Sequence, residues 1–475
     1  MSQPDLNNES VVRRSRRFKW LVLGGFALAA LLTLAGVLFI PWDVKPPEAP
    51  DLEYHPPVLK PEQNALTYFD AADKLMVSNF KTQDGAERDW KVLRERIGSP
   101  DEQWDLNFVD EILAANVSVF PVMEKGLACQ DYASPPVEAL NVRLPWVTQN
   151  YHLVSLLSIK SKRAHLAGDY AVAAKAGLQE LWLGHMMTAN PGCLLEWLVG
   201  IACEQSFGFV RLEELVADAG TPEPVLREIL VDLNHWRPQD VAKGYCQALR
   251  VEYQNNGKAL QGLGIEKTPR KAEASDIVVR EMAGWPYSWK PNMTWRMMVP
   301  FYRNLIANAD CSFAQAEWDY PGKLHKPVTD SQKVIWCLSP NSAGKNAILK
   351  EQVVKRAFLK KKNLESQIPA LRLKIALCLY ERKHGQMPDD LDSLVPEFMQ
   401  EIPRDPYDDQ PFRYSKEGKK VWAIGSDLID ENGSAKDDAI MVDYGHGYDL
   451  VMPLGTRELK PKLAPIPTRK GSPTP

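Results

Sequence analysis

Residues 150–220 read NYHLVSLLSIKSKRAHLAGDYAVAAKAGLQELWLGHMMTANPGCLLEWLVGIACEQSFGFVRLEELVADAG. Apolar side chains recur here at the three- and four-residue spacing of helices buried along one face. The first helix is expected to end near Ala167 and Gly168. A second starts at Asp169, whose carboxylate is placed to cap free amides. Ala171, Ala173, Ala174 and Ala176 are small enough to let the two helices approach closely. The block therefore reads as the heart of an α-helical domain. Trp182 and Trp197 in it, and Trp285, Trp289 and Trp295 further on, read as core side chains.

Helical periodicity continues on both sides. EQNALTYFDAADKLM (62–76) puts Ala65, Tyr68, Phe69, Ala72 and Leu75 on one stripe, and WDLNFVDEILAANVSVFPVMEKGLAC (104–129) is helical with an interruption near Pro121. TPEPVLREILVDLNHWRP (221–238) and TWRMMVPFYRNLIANADCSFAQAEWDY (294–320) extend the theme. The turn AGDYAVA between two alanine-rich helices resembles the inner turn of tetratricopeptide-like hairpins, as found in large bacterial envelope proteins. No repeat of that period continues on either side.

Toward the N-terminus, Arg13, Arg14, Arg16, Arg17 and Lys19 precede an uncharged run of 20 residues, Leu21 to Ile40, with Trp20 and Trp42 at its ends. At about 1.5 Å per residue that run spans the hydrocarbon thickness of a bilayer. The expectation is an uncleaved, single-pass signal-anchor with the basic end inside. The chain would then sit in a bacterial inner (cytoplasmic) membrane, lipid bilayer included among its partners, with its bulk in the periplasm. The proline-rich stretch after Trp42 reads as a spacer without packed elements. Seven scattered cysteines form no C-x-x-C pair, which excludes the common zinc and redox motifs.

Convincing catalytic signatures are missing. There is no G-x-S-x-G, H-E-x-x-H or phosphate-loop motif, and the eight histidines stand apart. Asp232 and His235 share a helix face, while His165 and His185 fall in neighbouring helices; proton transfer or metal ligation is geometrically open to them. Glu180, Glu196 and Glu204 form an imaginable carboxylate cluster, but the Glu-x-x-His pairs of a di-iron bundle are lacking. The basic run Lys355, Arg356, Lys360, Lys361 and Lys362 lacks interleaved aromatics, so it reads as a solvated helix face and not as a nucleic-acid surface.

The C-terminal third has a different character. FRYS and VWAIG flank a turn at KEGKK and predict a β-hairpin. From Asp405 to Asp449, nine aspartates and two glutamates face five lysines or arginines. Calcium takes hard oxygen ligands in irregular loops of this kind. Asp427 and the pair Asp437–Asp438 lie at the two ends of one loop, and Gly433 permits a tight turn between them.

Residues 371–440 resemble the globular end of the major pseudopilins of type II secretion systems. The likeness is carried by Gly385 to Pro388 after a helix, by Asp405, Pro406, Tyr407, Pro411, Phe412 and Tyr414, and by a strand ending at Gly425 before an acidic loop. That resemblance implies a structural calcium ion held by the carbonyls of Ile424 and Ile429 and the side chains of Asp427, Asp437 and Asp438. The pseudopilin leader and its membrane glutamate are absent, so a pilus subunit is not expected.

The sequence thus predicts a mainly α protein. Its expected order is a cytoplasmic tail (1–19), a transmembrane helix (20–42), a spacer (43–61) and an α-helical ectodomain with a tetratricopeptide-like look (62–345). A long helix with a small α+β pseudopilin-like domain (346–455) and a disordered tail (456–475) follow. The expected role is a membrane-anchored binding or scaffolding module for an envelope protein or peptide partner. The alternative is a hydrolase-like envelope enzyme assembled from dispersed residues.

Overall fold

The computed structural model describes residues 22–34, 36, 42–81, 87–89, 105–135, 137, 143–262, 287–317, 339–342, 344–345, 352–434 and 448–455. The protein is mainly α-helical, with a small antiparallel sheet near its C-terminus. The chain divides into two compact units, neither continuous in sequence. One comprises Met1–Ala49, Asn256–Phe301 and Tyr320–Glu351; the other comprises Pro50–Asn255, Tyr302–Asp319 and Gln352–Pro475.

The anchor expectation is corrected by the helix that the structure describes. Helix α1 is described over Val22–Leu34, and among the described residues no single helix is long and apolar enough to cross a membrane. That described stretch reaches about 20 Å, against roughly 30 Å of hydrocarbon. The single-pass topology, the inner-membrane address and the periplasmic placement therefore lose their support. The basic cluster, Trp20 and the rest of the apolar run lie outside the described residues. Helices α3 (Leu106–Ala115) and α4 (Val119–Leu127) are apolar together but bent by 71°. Their apolar side chains, Phe108, Val109, Ile112, Val119 and Met123, are buried in a protein core.

In the first unit, the start of the spacer is pinned to the first turns of helix α11 (Pro291–Ala307). The Asp43 carboxylate accepts from the backbone amides of Asn292 (2.7 Å) and Met293 (3.1 Å), capping that helix from a distance in sequence. The Lys290 ammonium donates to the Trp42 carbonyl and lies 4.0 Å from the Trp42 ring centroid. Residues expected to hang free are thus held by helix-end chemistry.

The larger unit is built around the block quoted above. Helix α5 (Pro145–Leu166) and helix α6 (Tyr170–Ala189) form an antiparallel hairpin. Gly168 takes a φ of +74°, a left-handed conformation that glycine adopts without strain. Asp169 accepts from the Val172 amide at 3.2 Å, so the expected cap is present. Ala173, Ala174 and Ala176 are buried as expected, while Ala171 is exposed.

Next comes helix α7 (Leu194–Cys203), which passes without interruption through a π-helical turn (Glu204–Phe209) into α8 (Val210–Ala217). A Cβ on Gly208 would lie 2.8 Å from the Leu181 backbone, so only glycine lets the π turn sit against α6. Helix α2 (Ala65–Leu75) closes the other side, where Phe69 is fully buried in one core cluster with Phe108, Met123 and Leu153, its ring centroid 6.5 Å from that of Tyr132. Burying such a ring is worth about 1.5–3 kcal/mol.

Three helices complete the frame: α9 (Glu223–Leu233), α10 (Pro238–Gly262) and the long α12 (Gln352–His384), which continues through Pro369. Helix α12 packs on α7, α8, α9 and the π turn, and carries the sheet on its far side. Strands β1 (Asn79–Lys81) and β2 (Glu87–Asp89) pair with each other, and the C-terminal sheet has the order β3 (Arg413–Ser415), β4 (Lys420–Ala423), β5 (Leu450–Pro453), antiparallel throughout. The hairpin β3–β4 follows the sequence expectation; β5 was not anticipated.

Two further expectations change. Lys361 and Lys362 are not solvated: both are buried and both donate to Glu365, at 2.8 Å for Lys362. Trp197 and Trp289 are core, while Trp182 and Trp295 are half-buried and Trp285 lies outside the described residues.

Candidate functional site

One face of α12 carries Lys362, Glu365, Pro369 and Arg372, at spacings of three, four and three residues. These four side chains form one wall of a cleft of about 490 Å³. The opposite wall is the segment Glu401 to Pro406 with Asp409, and Trp236, Gln239, Asp310 and Ser312 close its ends. The volume falls in the range of roughly 300–1,000 Å³ that small ligands and peptide side chains occupy.

The loop RDPYDDQP builds the opposite wall by folding on itself. The Asp405 amide donates to the Gln410 carbonyl (2.7 Å), and the Asp409 amide to the Asp405 carbonyl (2.9 Å). Tyr407, fully buried, donates its hydroxyl to Asn363 of α12 at 2.8 Å, which ties the loop to the facing helix. Asp405 is itself buried and accepts from the amides of Tyr407 and Ile424, both at 2.8 Å, and from Arg413. Burial pushes its carboxyl up to about 7 in spite of those donors.

Both walls of the cleft carry charge of both signs. Lys362, Glu365 and Arg372 stand on the helix, and Glu401, Arg404, Asp405 and Asp409 stand opposite. Burial lowers the Arg372 guanidinium, and Glu401 is the carboxylate that counters it. The Arg372 Nε is shielded from solvent and has no hydrogen-bond acceptor. Pro369 lacks an N–H, so the Glu365 carbonyl lacks its helical donor on this face. The lining contains no histidine and no cysteine, and its one hydroxyl side chain, Ser312, accepts from the Gln315 amide. The cleft can hold a charged group by ion pairing; it has no nucleophile aligned with a base.

The histidines and carboxylates singled out in the sequence lie elsewhere. His165 pairs with Asp218 at 2.8 Å, and His235 is exposed at the end of α9. Asp232 accepts from the Trp182 indole at 2.7 Å. His185 sits 3.4 Å from Glu204 and 3.8 Å from Asp240. Burial pulls its imidazole down, but those two carboxylates outweigh it and set the group at about 9.

Glu180, Glu196 and Glu204 are all buried but each has its own neighbours. Glu196 accepts from Tyr132, from Ser134 at 2.7 Å and from the Gly192 amide at 2.8 Å. Glu204 accepts from Thr188 and from the Trp236 indole at 2.8 Å. Burial holds Glu180 well above the usual carboxylate range, with Arg211 opposing it. No group of three histidine, cysteine, aspartate or glutamate side chains among the described residues is placed to hold a metal ion.

Three of the five residues expected to bind calcium are described. Ile424 is buried and its amide donates to Asp405 at 2.8 Å. Asp427 is exposed and accepts from the Ile429 amide at 3.0 Å, and Ile429 is exposed too. Asp437 and Asp438 lie outside the described residues, so the expected ligand set is described only in part.

Sequence reasoning missed the cleft. Its signal was the regular placement of Lys362, Glu365 and Arg372 on one helix face, with a proline between them. No family model, curated protein or solved structure matches this chain.

Proposed function

We propose that the chain is a binding module that takes a charged segment of a protein or peptide partner in the cleft beside α12. The observation that carries this reading is a lining dense in charge of both signs: Lys362, Arg372 and Arg404 with Glu365, Glu401, Asp405 and Asp409. A segment with neighbouring charges of both signs pairs with such a lining and fixes its own register. A hydrolase is the weaker reading, because His165, His185 and His235 line none of the described cavities. We further read the α5–α6 hairpin as tetratricopeptide-like, and α12 with its sheet as pseudopilin-like. Support comes from the tight three-residue turn in the first and the helix–loop–hairpin order in the second.

The test uses fluorescence-labelled pools of short peptides, one acidic, one basic and one of mixed charge, titrated against the purified full chain. The mixed pool is expected to bind best and to weaken as salt rises. Arg372→Gln should reduce that binding about tenfold or more, with melting of the variant measured alongside to separate loss of binding from loss of fold. Absence of binding by every pool, or equal binding by the variant, overturns the reading.

A further inference from the structure

The acidic C-terminal loop poses a question of charge, since its carboxylates repel one another unless a cation stands among them. Two cations of the chain stand there. The Arg413 guanidinium contacts Asp405 and Asp408, and its Nε lies 3.7 Å from Asp430. The Lys420 ammonium donates to the carbonyls of Asn432 (2.9 Å) and Gly433 (2.8 Å).

Both cations are held in place. Lys420 lies 5.5 Å from the centroid of the Trp422 ring, and the Trp422 indole donates to Asp430 at 3.0 Å. Asp430 also accepts from the Asn432 amide at 2.9 Å. Gly433, at a φ of +71°, turns its carbonyl to the lysine and its amide to the buried Asp449 carboxylate at 2.8 Å. Leu428, at a φ of +61°, makes the other tight turn. Loop carbonyls and clustered carboxylates are the ligands calcium prefers. Here an ammonium takes the carbonyls and a guanidinium takes three of the carboxylates.

We infer that Lys420 and Arg413 are the built-in cations of this loop, and that the C-terminal module folds without a divalent ion. An ammonium has three donors and satisfies two carbonyls with one to spare, while a guanidinium spans several carboxylates at once. The resemblance placed calcium on Ile424, Asp427, Ile429, Asp437 and Asp438; among the described residues Asp427 accepts from the Ile429 amide, and the carbonyls and carboxylates beside it already have their cations.

Hydrogen exchange of the full chain, read by mass spectrometry on peptides covering residues 413–434, tests this locally. In the wild type, exchange in these peptides should be the same in excess EDTA and in millimolar calcium. Lys420→Met keeps the side-chain length and removes the charge; loop amides should then exchange about tenfold faster or more. Calcium should slow them again, because the Asn432 and Gly433 carbonyls lose their ammonium and become available to another cation. Lys420→Arg should restore protection without calcium.

Faster exchange of the wild type in EDTA overturns the inference and returns the loop to a divalent ion. Unchanged exchange in Lys420→Met overturns it as well. Should Lys420→Met unfold the sheet outright, the wild-type comparison and Lys420→Arg decide the matter.

Discussion

His185 is a buried imidazole whose two carboxylate neighbours keep it charged up to about 9. Its folded value lies above the ordinary histidine value of about 6.5, so its contribution to stability is complete below that pH. The contribution is lost as pH rises through about 9, and amounts to roughly 3 kcal/mol. Urea unfolding should show wild-type stability falling between those limits, and His185→Gln should flatten that fall. Glu365 is the counterpart for anions. Glu365→Gln would leave Lys361 and Lys362 buried without their shared carboxylate, at a cost of about 3–5 kcal/mol in the same measurement. Neither role was legible in the sequence. Lys361 and Lys362 looked like part of an exposed basic run, because a run of lysines gives no sign of which two turn inward. Asp169 was legible, because a cap depends only on residues within one turn of it.

Local chemistry also explains which elements were readable. The α5–α6 hairpin follows from apolar spacing, a glycine and a cap, all within neighbouring residues. Asp169→Ala should lower stability by about 1 kcal/mol, visible as a small downward shift in melting temperature. The hairpin β3–β4 was equally readable, since KEGKK announces its turn. Strand β5 was not, because its partner β4 lies across residues that carry no hairpin signal. The π turn at Glu204–Phe209 escaped for a related reason: it arises where Gly208 meets Leu181 on another helix. Gly208→Ala should therefore destabilise the helical unit by roughly 1–3 kcal/mol, measured by denaturant unfolding, as overpacking does.

At the scale of the whole molecule, composition and periodicity sufficed for a mainly α protein but not for its division into units. Each unit gathers segments far apart in the chain, and local patterns do not report such contacts. The apolar N-terminal run misled for a simpler reason: absence of charge was read as a membrane span, whereas among the described residues no single helix is long and apolar enough to cross a membrane. The charged cleft shows the same limit, since one wall was visible as a helix face and the other became a wall only through folding. The buried pair Lys374–Glu213 (2.8 Å) joins residues 161 positions apart. On a ribosome adding about 5–20 residues per second, Glu213 emerges roughly 8–32 seconds before its lysine. During that interval the helical block is complete in sequence yet carries an acid facing an empty slot. A chain stalled before α12 would thus present its unfinished side to chaperones and proteases, and synthesis speed through residues 213–374 should govern the yield of the native protein.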